Sequence, residues 1–366
     1  MPLSRRAALM VLLAIGAAIA YVNPIHSQSG ASPRSYRQVE TWPQLPPEIQ
    51  AKLKTCRGEE CSGQVHFLIP GDNGSVWMLT RFDPPLLKID ASSGKLLKSF
   101  GDGTFVSTHG FCMDRDGNLW AGDYGVRPAS AATGAKGLQV HKFTQDGKLL
   151  LSLGKAGEAG VGPDRFVGPT ACAIAPNGDV LIADGHIPRN AITEGDRIMR
   201  FSKDGKFLTE YGKTGSGPGE FKGIHALAFD SRGYLFVADR TNNRVQVLDQ
   251  QMKFVTEYKQ FGRPSGLTIV NGNTLVVSDW ESGGPLIYSD TPGGSATAAG
   301  SGQLRNATFM QGRPKPTTFG TGTNVVRIGS TLDGTITTSF ETTQVEGVGT
   351  DQAGNIYVGP WKYVPR

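Results

Sequence analysis

Short apolar runs, some of them interrupted by single polar residues, follow one another along most of the chain and are separated by turn residues. A representative segment is "IHALAFDSRGYLFVADR", in which two such runs flank a tight turn at Gly233. Short apolar runs bounded by Gly, Asn and Asp predict β-strands joined by hairpins. Long stretches with the 3.6-residue period of an amphipathic helix are absent, so we predict an all-β chain.

This hairpin pattern recurs six times, and most copies are followed by a third strand, another turn and a fourth strand. The copies read "VHFLIPGDNGSVWMLTR", "THGFCMDRDGNLWAGDY", "PTACAIAPNGDVLIADG", "IHALAFDSRGYLFVADR", "PSGLTIVNGNTLVVSDW" and "VEGVGTDQAGNIYVGPW". Repeats of four short antiparallel strands are typical of a β-propeller. The sequence stops soon after the sixth hairpin, so we expect the N-terminal "SYRQVETW" to supply the missing strand. We therefore predict a six-bladed β-propeller whose ring is closed by an N-terminal strand.

Residues 1–27 have the pattern of a signal peptide. Arg5 and Arg6 precede an uninterrupted apolar run from Ala7 to Ala20, which is shorter than a membrane span requires. An uncleaved membrane anchor is the alternative. The rest divides into residues 28–63, with the closing strand and a loop, and the propeller at 64–366. We expect a secreted or periplasmic protein that is monomeric and leaves the membrane once the signal is cleaved.

Charge and cysteine positions limit the function classes. Removing residues 1–27 takes away two arginines and no acid, so the net charge falls from +5 to +3. Without a dense basic run, this mild excess argues against a nucleic-acid partner. We expect a local disulfide between Cys56 and Cys61 and interpret Cys112 and Cys172 as small core residues. The Gly/Ser/Thr-rich segment 288–324 is interpreted as a flexible loop, with a lid as the alternative.

One position of the repeat collects histidines. Counting eight residues back from the turn glycine, or from Asn273 in the fifth copy, gives one residue in each repeat. These are His66, His109, Thr170, His225, Ser265 and Glu346. The innermost strand of each propeller blade begins near the central axis, so we expect these residues to form a ring at the channel mouth. Imidazoles and a carboxylate from separate strands suit a zinc-like ion with an open coordination position. The alternative is a ring of polar residues that wets a channel.

A second set of polar residues lies at the end of the second strand of each repeat. Aspartates occupy four of these positions, at Asp123, Asp184, Asp239 and Asp279. We predict that they cap turns by binding backbone amides. At the next position, Arg81 and Arg240 either bind a substrate carboxylate or form salt bridges with those aspartates.

The repeats resemble NHL repeats, and the arrangement from about Tyr36 to Arg366 resembles the peptidyl-α-hydroxyglycine α-amidating lyase family of six-bladed propellers. The motifs that carry this resemblance are "YRQVETWPQLP", "STHGFCMDRDGNLWAGD", "PGEFKGIHALAFD" and "LFVADRTNNRVQVLD". It implies a zinc ion held by three histidines from separate blades. His109 and His225 match two of them, and Glu346 replaces the third, a substitution that zinc accepts.

The resemblance also bears on further ligands and on the catalytic groups. His66 occupies a ring position that the family does not use for zinc, so it is an additional candidate ligand. Gly347 stands where the family has an aspartate, which puts the family's structural calcium contact in doubt. The base tyrosine of the family's "DGY" motif is His186 here, in "ADGH", and an imidazole can act as a general base. Arg81 matches the substrate-side arginine, and Arg240 matches the arginine of "DRENGR", here "DRTNNR".

From these patterns we interpret His186, Arg81 and Arg240 as catalytic, and His109, His225, Glu346 and His66 as metal ligands. The expected activity is that of an exported metal-dependent lyase acting on a small molecule or peptide at the propeller mouth. It would cleave the N–C bond of a peptidyl-α-hydroxyglycine, releasing an amide and a glyoxylate-like product. The alternatives are a non-catalytic NHL propeller that binds a peptide, glycan or protein, and a lactonase-type hydrolase.

Overall fold

A computed structural model of the protein describes residues 36–54, 65–125, 136–186, 195–280, 324–342, 346–351, 353–359 and 361–365. The predicted signal peptide, the Cys56–Cys61 pair and nearly all of segment 288–324 lie outside these residues. All of the described residues belong to one compact unit, Arg34–Arg366. Within them, no helix has the length and apolar content that crossing a membrane would require.

The described strands form six four-stranded antiparallel sheets, which we number in chain order by their innermost strands. Sheet 1 contains β2 (Val65–Pro70), β3 (Ser75–Thr80), β4 (Leu86–Asp90) and β5 (Leu96–Phe100). Sheet 2 contains β6 (Thr108–Met113), β7 (Leu119–Asp123), β8 (Gln139–Phe143) and β9 (Leu149–Leu153). Sheet 3 contains β10 (Pro169–Ile174), β11 (Val180–Asp184), β12 (Arg197–Phe201) and β13 (Phe207–Tyr211).

The other three sheets have the same strand order. Sheet 4 contains β14 (Ile224–Phe229), β15 (Leu235–Asp239), β16 (Arg244–Leu248) and β17 (Phe254–Tyr258). Sheet 5 contains β18 (Pro264–Val270), β19 (Thr274–Asp279), β20 (Asn324–Ser330) and β21 (Ile336–Thr342). Sheet 6 combines β22 (Val348–Thr350), β23 (Ile356–Val358) and β24 (Trp361–Pro365) with β1 (Tyr36–Gln38). In sheet 6, Tyr36 lies opposite Pro365 and Gln38 opposite Tyr363.

Burial differs systematically between the strands of a sheet. The second strands β3, β7, β11 and β15 are buried along their whole length, because both of their faces are covered, and such strands read as continuous apolar runs. The outer strands β5, β13 and β21 alternate between half-buried and exposed residues. Consecutive innermost strands contact each other, and β22 contacts β2. The predicted all-β propeller is therefore confirmed.

One short helix, α1 (Pro47–Lys54), packs beside sheet 1. Its first residue is proline, whose fixed φ suits a helix start. The negative charge of Glu48 in the first turn interacts favourably with the positive end of the helix dipole. Ile49 on this helix joins Trp42 and Leu45 in the apolar cluster that covers β3 and β4. A 3₁₀ turn, Arg240–Asn242, follows β15.

The innermost strands of sheets 1 to 5 each begin with a break in register against the second strand. The breaks lie between the following residue pairs: Val65 and Phe67, His109 and Phe111, Pro169 and Ala171, Ile224 and Leu227, and Pro264 and Gly266. Such a β-bulge leaves a residue outside the ladder and redirects its side chain. Four ring residues therefore lie outside the regular ladder: His66, Thr170, His225 and Ser265. His109 is paired with Gly122, and the residue left out of the ladder in sheet 2 is Gly110.

Two glycines that directly follow ring residues bring neighbouring sheets into close contact. Gly110 has a φ of +63°, and a Cβ added there would lie 2.8 Å from the backbone nitrogen of Ala171. A Cβ added at Gly347 would overlap the carbonyl oxygen of His66. No side chain fits at either position without backbone movement, because close-packed interiors leave no spare volume.

Cys112 and Cys172 form a disulfide that joins β6 to β10. The interpretation of both as unpaired core residues was therefore wrong. Both side chains are buried as expected, but adjacent sheets bring their Cα atoms to 5.7 Å, which is within the range that a disulfide spans.

The aspartates at the ends of the second strands bind backbone amides, as predicted. Asp123 accepts hydrogen bonds from the amides of Val106 and Ser107, both at 2.9 Å. Asp184, Asp239 and Asp279 accept amide hydrogen bonds in the same way. These three also form ion pairs with buried arginines of the third strands, Arg197, Arg244 and Arg327 respectively.

Candidate metal centre

Three histidines from different sheets meet beside the innermost strands. His109 lies at the start of β6 and His225 at the start of β14, and each is 1% exposed. His186 lies two residues beyond β11, with a φ of +83°. One potential ligand atom from each of the three lies within 4.8 Å of the others. Residues separated by up to 116 positions in the chain thus form a single cluster, which we call the histidine cluster.

Backbone carbonyls fix the tautomers of two of these rings. The Nδ1 of His109 lies 2.6 Å from the carbonyl oxygen of Thr170, and the Nδ1 of His225 lies 2.8 Å from that of Ser265. A carbonyl oxygen can only accept, so each Nδ1 carries a hydrogen, and in the neutral ring Nε2 keeps its lone pair. A carbonyl-bound Nδ1–H is the usual support for a metal-ligating imidazole. The two acceptors are themselves ring residues of the next sheet.

His66 lies beside this cluster. It is 1% exposed, and its ring centroid is 4.5 Å from that of His109. Neither of its ring nitrogens forms a hydrogen bond within the described part of the chain. Its ligand atoms are not in the group that meets within 4.8 Å, so the structure places this predicted ligand next to the cluster.

Glu346 also lies near the cluster. Its Oε2 is 3.8 Å from the Nε2 of His225, and its side chain is 16% exposed. Oε2 itself is buried and forms no hydrogen bond among the described residues. The structure therefore brings the predicted carboxylate close to one histidine, beyond hydrogen-bonding distance.

Two arginines and a tryptophan border the cluster. The Nη1 of Arg240 donates a hydrogen bond to the Nε2 of His225 at 3.0 Å. Its guanidinium carbon lies 4.0 Å from the ring centroid of Trp280, and that of Arg263 lies 4.6 Å from the same centroid. An arginine keeps its charge at any ordinary pH, so this bond also requires Nε2 of His225 to be the acceptor.

Arg81 and Tyr124 occupy the side of the cluster formed by sheets 1 and 2. The Nε of Arg81 lies 3.5 Å from the carbonyl oxygen of Thr108, directly before His109. The ring of Tyr124 is 5.5 Å from that of His109 and 5.7 Å from that of His186. Three of the capping aspartates, Asp184, Asp239 and Asp279, form ion pairs with arginines of the third strands.

Burial is the main reason that three of these histidines, His66, His186 and His225, have a low pKa. It lowers the pKa of His66, His186 and His225 well below the ordinary value. The positive charge of Arg240 lowers the pKa of His186 and His225 further, and that of Arg81 lowers the pKa of His66. Neutral imidazoles at neutral pH are the form that binds a metal or accepts a proton.

The structural calcium contact implied by the family resemblance does not fit this chain. At position 347, where the family has an aspartate, the backbone of Gly347 lies against the carbonyl of His66. A carboxylate side chain is therefore excluded there, and we derive no role for calcium.

His141 offers a stability test outside the cluster. It is buried on β8, its Nδ1 lies 2.8 Å from the hydroxyl of Ser152, and burial lowers its pKa to about 4 from an ordinary 6.5. Above pH 6.5 both the folded and the unfolded chain hold it neutral; below that pH the unfolded chain takes up a proton that the folded chain does not. Between about pH 7.5 and about pH 5, we expect this difference to remove about 2 kcal/mol of unfolding free energy.

The measurement is urea unfolding of the protein and of its His141→Gln variant at both pH values. The variant should lose about 2 kcal/mol less than the parent over this interval. Equal losses in the two proteins would show that His141 is protonated in the folded state.

Parts of this site had no signal in the sequence analysis. Arg263 precedes the fifth hairpin and lies outside the positions found by counting from the turn glycine. The carbonyls of Thr170 and Ser265 act through the backbone, which side-chain patterns do not reveal. Both residues were identified as ring members, and only their role as acceptors was missed.

Comparisons with known proteins agree with this fold and with the resemblance. A protein family described as a 6-bladed beta-propeller matches residues 172–260. Peptidylglycine alpha-amidating monooxygenase of Rattus norvegicus is 33% identical over 204 residues, which cover 51% of this chain and 19% of that protein. Peptidyl-alpha-hydroxyglycine alpha-amidating lyase 1 of Drosophila melanogaster is 34% identical over 173 residues, covering 44% of this chain and 28% of that protein. NHL repeat-containing protein 3 of Homo sapiens is 30% identical over 162 residues, covering 43% and 45%.

Among solved structures, one described as a putative gluconolactonase has a TM-score of 0.52 at 14% identity and covers 91% of this chain and 92% of that chain. At such identity the likeness shows the propeller fold alone. The sequence matches show that the chain is homologous to amidating lyases and to NHL-repeat proteins, which confirms the resemblance. The chain spans less than half the length of the curated relatives named here.

Proposed function

We propose that this protein is a metal-dependent lyase that cleaves the N–C bond of a peptidyl-α-hydroxyglycine. The observation that carries this proposal is the pair of buried imidazoles, His109 and His225, each held by a carbonyl at Nδ1 so that Nε2 is the basic nitrogen. This pair occurs in a chain that is homologous to amidating lyases. The substrate's hydroxyl loses its proton, a carbon–oxygen double bond forms, and the carbon–nitrogen bond breaks. The nitrogen then takes a proton, giving an amide and glyoxylate.

His109 and His225 would hold the metal, and the donor types fit zinc. Glu346 and His66 are the further donors that the sequence predicts. A divalent ion bound there would act as a Lewis acid on the substrate's hydroxyl oxygen. Burial lowers the pKa of His225 and His66, which supports the assignment because a protonated ring cannot be a ligand.

The arginines would bind and orient the substrate's carboxylate. Arg240 donates to Nε2 of His225 and lies against Trp280. A metal on Nε2 would take the lone pair that now accepts this hydrogen bond, which would free the guanidinium for the substrate. Arg81 borders the same cluster from sheet 1. Guanidinium groups bind carboxylates in bidentate fashion, which fixes the direction of the bond to be cleaved.

The experiment is glyoxylate release from an α-hydroxyglycine peptide by the mature protein, residues 28–366, loaded with zinc. We expect turnover that stops on chelation and returns with added zinc. No glyoxylate from zinc-loaded, folded protein would contradict the proposal. Hydrolysis of a lactone, or peptide binding without turnover, would then favour the hydrolase or the binding propeller.

We also propose that the mature chain is a secreted or periplasmic monomer acting on a small molecule or peptide, without nucleic acid or membrane as partner. The Cys112–Cys172 disulfide supports this location, because disulfides persist mainly in oxidising compartments. The apolar pattern of residues 1–27 supports export through a cleaved signal.

We propose further that the six sheets make a closed six-bladed ring and that β1 closes it by completing sheet 6. Its pairing with β24 would cover the edge of β24, which could otherwise pair with a strand of another molecule. Removing residues 28–38 from the mature chain should lower the melting temperature by several degrees and cause concentration-dependent aggregation. An Arg37→Ala change, which keeps the backbone pairing, should do neither. A truncated chain with the melting temperature of the parent would show that β1 does not close the ring.

A further inference from the structure

We propose that His186 is the third metal ligand of this protein and that Glu346, predicted as a ligand, is the proton acceptor. This inference rests on the proposed function and exchanges the roles that the sequence indicates for these two residues. The exchange of roles follows from the positions of these two side chains relative to His109 and His225.

Distance favours His186 as the third donor. Among the described residues, His109, His186 and His225 are the group whose ligand atoms all lie within 4.8 Å of one another. Zinc–nitrogen bonds of about 2.0–2.1 Å in a tetrahedron place the ligand nitrogens about 3.4 Å apart. Side-chain movements of about 1 Å would therefore complete a three-imidazole site.

The local structure of His186 leaves its ring suited to this role. Its backbone amide donates to Oδ1 of Asp196 at 3.2 Å, which anchors the main chain at this point. Its Nδ1 is buried and forms no hydrogen bond with any described group, whereas a buried polar atom normally has a partner. A φ of +83° at a non-glycine residue costs free energy, and such conformations are concentrated at functional sites.

Glu346 is better placed to move a proton. Its Oε2 lies 3.8 Å from Nε2 of His225, yet the residue is not part of the group that meets within 4.8 Å. A buried carboxylate oxygen beside the cluster can take the proton of the substrate's hydroxyl as the C–N bond breaks. The same proton can then pass to the departing nitrogen, so no net proton is consumed.

Metal binding by variants separates the two roles. His186→Asn keeps a residue that tolerates a positive φ, and Glu346→Gln keeps the shape of the side chain. We expect His186→Asn to weaken zinc affinity about 100-fold or more and to change the visible spectrum of the Co²⁺-substituted protein. Glu346→Gln should keep zinc affinity within about threefold and keep the Co²⁺ spectrum, while glyoxylate release falls about 100-fold or more. His141→Gln, which removes a buried imidazole outside the cluster, is the matched control and should bind zinc as the parent does.

X-ray absorption of the zinc-loaded parent protein measures the zinc ligands directly and does not depend on how any variant folds. Three imidazoles in the coordination shell are expected. Two imidazoles with a carboxylate, or a His186→Asn variant with parental affinity and Co²⁺ spectrum, would overturn this inference and leave the lyase proposal standing. Failure of the parent itself to bind zinc or another divalent metal would instead overturn the metal-dependent function.

Discussion

Replacing His225 by alanine should remove the bound metal and lower kcat/KM for glyoxylate release by about a thousandfold. His225 is 1% exposed and lies between His109, His186 and Glu346, so its loss removes the central donor of the cluster. Lewis-acid stabilisation of a developing oxyanion is worth several kcal/mol, and about 4 kcal/mol corresponds to a thousandfold in rate. Metal content by elemental analysis and steady-state kinetics on the same preparation are the measurements.

The control for this loss is the His141→Gln variant, because His141 is also a buried histidine but lies on β8. It should retain about one equivalent of metal and the parental rate. Activity that survives in His225→Ala would remove the histidine cluster from the reaction. A metal-free variant with full activity would show that the ion takes no part in the reaction.

Replacing Asp239 by alanine should lower the free energy of unfolding by about 3–5 kcal/mol. The carboxylate of Asp239 is completely buried and accepts hydrogen bonds from the amide of Lys222 and from Asn242, Arg244 and Gln246, at 2.6–3.1 Å. Removing it leaves several buried donors, including a charged guanidinium, without this acceptor. That mechanism is among the most destabilising known for single substitutions. Denaturant unfolding at neutral pH measures the change.

Glu257→Gln is the matched control for this substitution. Glu257 binds the same Arg244 through Nη1 at 2.8 Å, but its side chain is 26% exposed. Solvent screens this partly exposed ion pair, so we expect its loss to cost less than about 1 kcal/mol. Similar costs for the two variants would mean that burial does not decide the contribution of these arginine pairs.

The fold was predictable because two simple signals agree along the chain. Short apolar runs define the strands, and a turn residue, Gly233 for example or Asn273 in the fifth copy, sets a common register for the hairpins. From that register the ring residues follow by counting, which is how His109 and His225 were found. The side chain at each repeated position can be identified directly from the sequence.

The remainder of the site depends on backbone geometry, which has no comparable signal. His186 joins the cluster through a positive φ beyond β11, so its position is a property of a loop. The Cys112–Cys172 bond joins residues 60 positions apart, and it forms because adjacent sheets place two ordinary core positions opposite each other. Arg263 approaches Trp280 from a segment outside the repeat.

The departures from the amidating lyases are also informative about roles. This chain has His186 where the family has a tyrosine and Glu346 where the family has a histidine. Considered separately, each substitution indicates a site that has lost a functional group. In the folded chain both residues lie beside His225. Under the roles proposed above, the two substitutions can be understood together, because the metal-binding imidazole and the proton acceptor have exchanged positions.

The close contacts at Gly110 and Gly347 have a consequence for protein engineering. Each glycine directly follows a ring residue, and each excludes a side chain because a neighbouring sheet occupies that space. A library that varies the ring residues can therefore change the donor set, whereas one that varies these glycines would mostly yield misfolded protein. Randomising His66, Thr170, Ser265 and Glu346 around an intact His109–His225 pair would explore new metal chemistries on an unchanged scaffold.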